Sequence, residues 1–392
     1  MSRLTAGSQS SLREANKGLI VDTIKQFGGL TQVELADATG LSAATVSTLV
    51  KQLTGSGLVE VRPTSRSGRR AQLVTLARAT GLAAGVHVGH RSLRVLLGDF
   101  NREIVAEQSM PLPREHPMDT VLDRVALLIV DMLEMVASTL DELAGIAIGL
   151  PAPVDVSTGM LSVPGVLPGW ESEHIGDVMA KRLGRPVYVE NDANLGALAE
   201  MTFGATHRYA DSVYVRASYG SGAGVILGGR LHRGFGGTAG EIGHVQVDPR
   251  GAICRCGRRG CLDTVVGVEA LLAALRTSHG PLTLRDVVSR AVEGDPGCTR
   301  VLTDAGRTIG RVVAGVCQAV NPQAVCVGGD LADAGTIFLA PLAEAVQEHT
   351  LPNQVAPMEV LASPLHGDEV AKGALVQVLD STDLFAQGGD GQ

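Results

Sequence analysis

The sequence predicts a two-lobed α/β protein that is preceded by a small helical module. Of its 392 residues, 49 are glycine and 45% are hydrophobic, a composition that favours an α/β fold with many tight turns over a helical bundle. A pattern of strand, glycine turn and strand occurs after residue 81 and returns after residue 212. This repetition predicts two related lobes with a cleft between them.

The first part of the chain, residues 1–78, is predicted to be a winged helix-turn-helix domain. Its first helix is indicated by apolar residues at helical spacing, namely Leu19, Ile20, Ile24 and Phe27. Thr31 and Glu34 form a capping box that opens a second helix, and Ser42 caps a third. Three short helices in this order are typical of a module that places its third helix in DNA.

The third helix and the hairpin after it carry the residues that we expect to contact DNA. The residues predicted to face the core of the module are Val46, Leu49, Val50 and Leu53. The residues left for a major groove are Ser42, Ala43, Ala44, Thr45, Ser47, Thr48 and Lys51. Segments 58–63 and 71–76 are predicted to pair as a wing, whose tip presents Arg66, Arg69 and Arg70 to phosphates or a minor groove.

The charge distribution agrees with a partner of negative charge at one end of the chain. Residues 1–80 have a net charge of +5, and the remainder has a net charge of −13. A basic protein-interaction module or a merely solvated hairpin is the alternative interpretation. Because one such module reads few base pairs, we expect a homodimer or homotetramer on palindromic double-stranded operator DNA.

The rest of the chain is predicted to form two lobes at 79–195 and 196–380, followed by a flexible tail at 381–392. The first lobe is expected to contain three strands, an amphipathic helix and a buried strand, in that order, at 81–90, 91–100, 102–110, 118–140 and 143–151. The second lobe repeats the strand and glycine-turn pattern and holds dimerisation helices. This arrangement predicts an actin-like, ribonuclease-H-type fold with two lobes.

A cluster of metal-ligating residues lies in the second lobe. His244 stands ten residues before Cys254, and the cysteines Cys254, Cys256 and Cys261 follow as C-x-C-x4-C. Three thiolates and one imidazole satisfy tetrahedral Zn²⁺ without a water molecule, which is typical of a structural zinc site. We therefore expect one structural Zn²⁺ per chain. The alternative is a loop of reduced cysteines.

The same stretch resembles the ROK family, named for repressors, open reading frames and kinases. That family carries E-x-G-H followed by C-x-C-G-x-x-G-C-L-E, which this chain matches at Glu241, His244, Cys254, Cys256, Gly257, Gly260, Cys261 and Leu262, with Asp263 in the last position. ROK repressors also begin with a winged helix, and the Arg and Asn ahead of its first helix are matched by Arg13 and Asn16. The resemblance implies a transcriptional regulator, a repressor of carbohydrate-related genes, that binds a sugar-type effector beside the zinc site.

Polar residues at the end of a strand indicate where the effector binds. Ligands of α/β proteins bind beyond the carboxyl ends of strands, and Asn191 and Asp192 follow the apolar segment 186–189. The resemblance implies a sugar site formed by Asn191, Asp192, Glu241, His244 and Asp263. Another interpretation is that Asp192 or Asn194 caps the next helix.

The loop at 165–170 departs from the sugar-binding pattern of the family. Where relatives carry P-N-L-P-G-W, this chain has Val166 in place of the asparagine that would bond the sugar. The ligand is then less hydroxylated than glucose or is a different sugar. Alternatively, the pocket has lost its ligand.

The phosphate loop of a kinase is also altered. A ROK kinase opens its first lobe with D-x-G-G-T, in which the acid helps to organise Mg²⁺. The aligned residues are His87, Val88, Gly89, His90 and Arg91. We therefore expect no kinase activity despite the glycine loop at 220–224, so that Asp192 is a ligand contact and a vestigial catalytic base. The alternatives are a bifunctional sugar kinase with a DNA-binding arm, and a regulator with a vestigial pocket that responds to a protein partner.

Several classes of protein are disfavoured by the remaining sequence. No apolar run approaches the roughly 20 residues of a membrane span, and the first residues lack the apolar core of a signal peptide. We expect a cytoplasmic protein without a membrane partner. Cys298, Cys317 and Cys326 are scattered through apolar segments, and we expect them to be buried thiols.

Overall fold

The structure is a computed structural model that describes residues 9–66, 69–77, 80–113, 116–155, 157–163, 165–170 and 174–385. Its N-terminal module consists of α1 (Gln9–Phe27), β1 (Leu30–Thr31), α2 (Gln32–Thr39), α3 (Ala43–Gly55), β2 (Val59–Arg66) and β3 (Arg69–Leu76). The three strands form one sheet in the order β1-β3-β2. The prediction of a winged helix-turn-helix is thereby confirmed.

Local signals determine the bounds of the helices in this module. Thr31 and Glu34 form the capping box of α2, and the Ser42 hydroxyl accepts a hydrogen bond from the amide of Thr45 at the start of α3. Helix α2 ends at Gly40, whose φ of 68° is a left-handed conformation that suits glycine. The sequence identified the caps at Thr31 and Ser42 correctly.

Only part of the apolar face that the sequence predicts for α1 is buried in the core of the module. Ile20 and Ile24 are completely buried, whereas Leu19 and Phe27 are 42% and 61% exposed. Val21 is buried in their place. In α3 the four residues predicted to face the core are all buried, namely Val46, Leu49, Val50 and Leu53.

The first lobe is built on a five-stranded mixed sheet. Its elements are β4 (Leu82–Val88), β5 (Ser92–Asp99), β6 (Ile104–Pro111), α4 (Met118–Met135), β7 (Leu143–Leu150), α5 (Ile175–Leu183) and β8 (Val187–Asn191). The strand order is β6-β5-β4-β7-β8, with β4 antiparallel to β5 and parallel to β7. Helix α4 ends earlier than the predicted residue 140, because Ala137 adopts a positive φ of 55° and 140–142 form a separate 3₁₀ turn.

The second lobe repeats the topology of the first. Its elements are α6 (Asp192–Phe203), β9 (Ser212–Ala217), β10 (Ser221–Leu227), β11 (Arg230–Leu231), α7 (Asp263–Val266), α8 (Val268–His279), α9 (Leu284–Val292), α10 (Pro296–Val320), β12 (Ala324–Gly328), α11 (Thr336–His349), β13 (Glu359–Ala362) and α12 (Glu369–Ser381). The sheet order β11-β10-β9-β12-β13 matches that of the first lobe, strand for strand. The predicted actin-like, two-lobed fold is therefore confirmed.

Two helices form the layer that joins the lobes. Helix α12 packs on β4 and β7 of the first sheet, α6 packs on β9 and β10 of the second, and the two helices pack on each other. Their approach is close, since a Cβ atom on Gly373 would lie 1.8 Å from the carbonyl oxygen of Leu195. The range 196–380 that we predicted for the second lobe thus contains a helix that covers the first sheet, a long-range contact that sequence order does not reveal.

The winged-helix module is attached to the first lobe through backbone groups. The Asn101 side chain accepts a hydrogen bond from the Leu76 amide and donates one to the Leu76 carbonyl, both at 2.9 Å. The Arg102 guanidinium donates to the Gln26 carbonyl at 2.8 Å, and the buried Lys25 ammonium donates to the Thr382 carbonyl. These bonds fasten both α1 and β3 to the body of the protein.

These contacts contradict the prediction of a flexible tail at 381–392 for the first residues of that segment. Thr382 and Leu384 are buried beside α1, so the chain after α12 is part of the attachment of the module. Residues 386–392 of the predicted tail lie outside the described part of the chain.

A buried polar group lies where the helical layer meets the second sheet. Glu200 of α6 is completely buried, and its carboxyl oxygens accept hydrogen bonds from the Ser363 hydroxyl and, at 2.7 Å, from the Ala205 amide. The Glu369 carboxyl of α12 lies 3.3 Å from the same Ser363 hydroxyl. Burial raises the pKa of Glu200, because the charged form loses its hydration.

Glu200→Gln is expected to flatten the dependence of stability on pH. Because the folded state holds the Glu200 proton more tightly than the unfolded chain does, this group adds stability at acidic pH, and the contribution is lost as the pH rises through its folded pKa. Urea unfolding at pH 5.5 and pH 8 measures the slope. The control Glu348→Gln, at an exposed position, should keep the wild-type dependence of stability on pH. The same dependence in Glu200→Gln would contradict a raised pKa for Glu200 in the folded state.

Candidate functional site

A cleft of about 790 Å³ lies between the two lobes. Its walls are the turn after β4, the segment after β7 and the loop at Val166 on one side, and β9, its glycine turn and α9 on the other. The predicted ligand residues Asn191, Asp192, Glu241, His244 and Asp263 all line this cleft. The fold therefore brings together side chains that are more than 70 residues apart in the sequence.

Asn191 is the cap of α6 and is also a cleft residue. Its side-chain oxygen accepts hydrogen bonds from the amides of Ala193 and Asn194, at 2.8 and 3.2 Å. Its side-chain nitrogen faces the Ala152 carbonyl at 3.2 Å and the Glu241 carboxyl at 3.5 Å. The interpretation that Asp192 or Asn194 caps the helix is thus wrong, because Asn191 performs this role.

Asp192 forms a buried ion pair with Arg216 of β9. The guanidinium Nε lies 2.9 Å from the carboxylate, and Asp192 is only 8% exposed. Burial raises the pKa of Asp192, while the charge of Arg216 acts in the opposite direction. Sequence reasoning missed Arg216, although a single charged residue within the apolar strand Ser212–Ala217 was a usable signal.

Glu241 and Asp263 place two further carboxyl groups in the cleft. Burial, with the nearby charges of Asp192 and Asp263, raises the pKa of Glu241 to about 7. Asp263 accepts a hydrogen bond from the Ser221 amide at 2.8 Å. A Cβ atom on Gly220 would lie 2.9 Å from its carboxylate, which shows how closely Asp263 fits the glycine turn. Its short side chain holds this turn in place.

The four predicted metal ligands converge on one point. The donor atoms of His244, Cys254, Cys256 and Cys261 all lie within 4.8 Å of one another. The sulfur atoms of Cys256 and Cys261 are 3.7 Å apart, and His244 Nδ1 is 3.6 Å from the Cys254 sulfur. A tetrahedron with metal–sulfur bonds of about 2.3 Å has edges of about 3.8 Å, so these residues fit a tetrahedral metal ion.

The metal-ligand loop contacts the first lobe at Val166. The Arg255 guanidinium donates a hydrogen bond to the Val166 carbonyl at 3.1 Å. The Val166 side chain is buried in the core of the first lobe. Val166 therefore contributes its backbone to a contact between the lobes.

Two histidines lie in the segment that aligns with the kinase phosphate loop, His87 near the end of β4 and His90 in the turn after it. His87 is 6% exposed, and its Nε2 has no hydrogen-bond partner among the described residues. Burial places the pKa of His87 well below its usual range, and burial with the charges of Arg255 and Arg216 lowers the pKa of His90 to about 4. Both imidazoles are therefore neutral at physiological pH.

The predicted DNA-contacting residues lie on the outer face of the module. Ser42, Ala43, Ala44, Ser47, Thr48 and Lys51 are exposed, and Thr45 is half-buried. Arg70 in the wing is exposed as well. The backbones of Arg66 and Arg69 end the two wing strands, but their side chains lie outside the described part of the structure.

Among the described helices, none combines the length and the apolar composition needed to cross a membrane.

Comparison with known proteins identifies related chains over nearly the full length. Residues 83–381 match the model of the ROK family, and residues 16–70 match that of the MarR family. The chain is 29% identical to the DNA-binding transcriptional dual regulator NagC of Escherichia coli (strain K12), covering 95% of this chain and 94% of the relative. It is 28% identical to the xylose repressor of Bacillus subtilis (strain 168), covering 95% and 97%.

Solved structures are similar in the same regions. The crystal structure of a ROK family transcriptional regulator, a homolog of the E. coli MLC protein, superimposes with a TM-score of 0.77 at 26% identity, covering 97% of this chain and 100% of that one. The crystal structure of a ROK family glucokinase from Streptomyces griseus, in complex with glucose and AMPPNP, superimposes with a TM-score of 0.66 at 26% identity. The superposition covers 75% of this chain and 98% of that one.

Arg216→Met is expected to lower the free energy of unfolding by about 3–5 kcal/mol, because it leaves the buried Asp192 carboxylate without its partner. The double variant with Asp192→Leu should recover part of this loss, since neither charge remains. Chemical denaturation of the wild type, the single variant and the double variant measures their free energies of unfolding. Arg300→Met breaks an exposed ion pair and serves as the control, with an expected loss of about 0–1 kcal/mol. Equal losses in both arginine variants would contradict the ion pair.

Proposed function

This chain belongs to the ROK family, and from that premise we propose that it is a DNA-binding transcriptional regulator, a repressor of carbohydrate-related genes, controlled by a sugar-type ligand in the cleft. The observation that carries the proposal is the attachment of a winged-helix module to a two-lobed domain whose cleft is lined by Asn191, Asp192 and Glu241. The relatives NagC and the xylose repressor, which match along both parts of the chain, support the same function.

Helix α12 offers a route from the cleft to the DNA-binding module. At its start, His366 and Gly367 line the cleft, and Asp368 forms ion pairs with Arg94 and Lys372. Its far end, at 380–382, contacts α1 of the module. A ligand that moves one lobe against the other would therefore shift both ends of a single rigid element. Regulation requires a differential affinity of only about 1–3 kcal/mol.

The cleft favours a sensor over a kinase. In phosphoryl transfer, a free carboxylate accepts the proton of the attacking hydroxyl and another acid helps to hold Mg²⁺. Here Asp192 is paired with Arg216, and His87 stands where the acid of a kinase would be. We propose that the protein does not phosphorylate sugars. Val166 and Asp263 favour a second candidate, a regulator with a vestigial pocket that answers to a protein partner.

We propose that the cluster of His244, Cys254, Cys256 and Cys261 holds one structural Zn²⁺. Four soft or borderline donors leave no open position for a reacting water, so the ion would stabilise the loop without taking part in a reaction. The Arg255 contact to Val166 would transmit that stability to the wall of the cleft.

Cys256→Ser is expected to reduce the zinc content below one ion per chain and to lower the melting temperature, because metal binding contributes to folding. Elemental analysis and thermal unfolding of purified protein provide the measurements. Cys317→Ser, at a buried cysteine outside the cluster, is the control and should retain its zinc. Full zinc occupancy in Cys256→Ser would overturn the assignment.

Lys51→Ala is expected to weaken DNA binding at all sequences and to reduce the salt dependence of affinity by roughly one phosphate contact. Fluorescence anisotropy with duplexes selected by the wild-type protein provides the measurement. Arg311→Ala, on the exposed side of α10, removes the same charge far from the module and should leave affinity unchanged. We expect the selected duplexes to be palindromic and bound by a dimer or tetramer. A monomer on a single half-site would contradict this.

Thermal unfolding with a panel of free sugars and ATP tests the effector. A sugar at roughly 100 times its Kd adds about 2.7 kcal/mol to stability, which gives a clear shift in Tm. We expect one sugar to stabilise the protein and to lose this effect in Asp192→Ala, while ATP has none. Turnover of ATP with any sugar would instead establish the bifunctional kinase. If no sugar acts, the vestigial-pocket candidate replaces the proposal.

A further inference from the structure

We propose that His279, Asp295 and Cys298 bind a further Zn²⁺ ion at the base of helix α9. The donor atoms of these three side chains all lie within 4.8 Å of one another. Imidazole, carboxylate and thiolate are the three side-chain ligands that zinc takes in proteins. The site shares no residue with the cysteine cluster described above, so it would be a second and independent metal site.

Helices α8 and α10 bring the three residues together. His279 is the last residue of α8, Asp295 caps the start of α10, and Cys298 lies in the first turn of α10. The connection between them, residues 280–294, contains α9. An ion at this site would therefore join the two ends of the α9 segment.

The distances fit a tetrahedral ion. His279 Nε2 lies 3.0 Å from each carboxylate oxygen of Asp295. Zinc bonds of about 2.0–2.1 Å to nitrogen and oxygen give a tetrahedral edge of about 3.3 Å, so this pair would separate by only about 0.3 Å. Cys298 is completely buried, whereas the side chains of His279 and Asp295 are 14% and 27% exposed. A water molecule can therefore take the fourth position from the solvent side.

Ser278 orients the His279 ring toward the site. The Ser278 hydroxyl donates a hydrogen bond to the Leu275 carbonyl at 3.2 Å, and its oxygen lies 2.7 Å from His279 Nδ1. With its hydrogen used in this way, the hydroxyl oxygen accepts the Nδ1 proton, and the lone pair of Nε2 faces the Asp295 carboxylate. A metal ion between them removes this repulsion, and metal-bound histidines commonly donate their other ring proton in this manner. A proton on Nε2 would remove it as well, which makes metal content the deciding measurement.

The start of α10 leaves room for the imidazole ring. A Cβ atom on Gly297 would lie 2.7 Å from Cε1 of His279 and would force the ring to move. The Asp295 carboxylate is held in turn by the Cys298 amide, which donates a hydrogen bond to it at 2.8 Å. The ring and the carboxylate are thus positioned by their neighbours before any ion binds.

The segment between the ligands is part of the cleft wall. The residues of α9 that line the cleft are Leu284, Arg285, Val288 and Ser289. Because an ion would hold both ends of this segment, we expect it to limit the motion of α9 and to stabilise this wall. The site offers one thiolate and a position open to water, so its ion should exchange with solvent more readily than an ion of the cysteine cluster.

Titration of Zn²⁺ into the purified full-length protein tests the site. Isothermal titration calorimetry counts the ions that bind beyond those retained on purification. We expect wild type to take up one ion more than His279→Gln or Cys298→Ser, because each substitution removes a ligand. Added Zn²⁺ should also raise the Tm of wild type alone among these three proteins. The control His349→Gln removes an exposed histidine beside Glu348 and should behave as wild type.

Circular dichroism checks that each variant is folded, and Co²⁺ in place of Zn²⁺ identifies the donors. The difference spectrum between cobalt-loaded wild type and His279→Gln should contain a thiolate-to-cobalt charge-transfer band, and that between Cys298→Ser and His279→Gln should lack it. Equal zinc uptake by wild type and His279→Gln would show that His279 and Asp295 form only an ion pair, and would overturn the site. Equal losses in His279→Gln and His349→Gln would indicate adsorption to surface histidines, with the same consequence. These comparisons do not depend on the zinc content of the cysteine cluster, since every variant keeps its four residues.

Discussion

The close packing of α6 against α12 is the contact on which the rest of the structure depends. Each helix covers the sheet of a different lobe, so the two sheets are joined through this pair of helices. Gly373 permits this approach, since any side chain there would collide with the Leu195 carbonyl. The same layer positions the first residues of α6, and with them the carboxylate of Asp192, at the edge of the cleft.

The polar groups of the cleft are arranged by their own neighbours before any ligand arrives. Asn191 is fixed by the amides of α6, Asp263 by the Ser221 amide, and Asp192 by Arg216. Such preorganisation lowers the entropic cost of binding, because few side chains must be ordered by the ligand.

The sequence predicted what local signals encode. Caps at Thr31 and Ser42, strand patterns and the spacing of His244 with its three cysteines all depend on residues close in the chain, and the structure agrees with them. Contacts between distant segments were not accessible in this way. Helix α12 packs on the first sheet, and Arg216 pairs with Asp192. Neither contact produces a periodic pattern in the sequence, because each depends on how the two lobes assemble.

The attachment of the winged helix has a consequence for how such regulators diverge. Lys25 is bonded to the Thr382 carbonyl, Arg102 to the Gln26 carbonyl, and Asn101 to both backbone groups of Leu76. The carbonyl acceptors and the one amide donor in these bonds are main-chain atoms, so the bonds place few demands on the side chains of the exposed face of α3. Under the function proposed above, a duplicated copy would acquire a new operator through changes in the exposed face of α3, while the attachment of its winged helix is inherited unchanged.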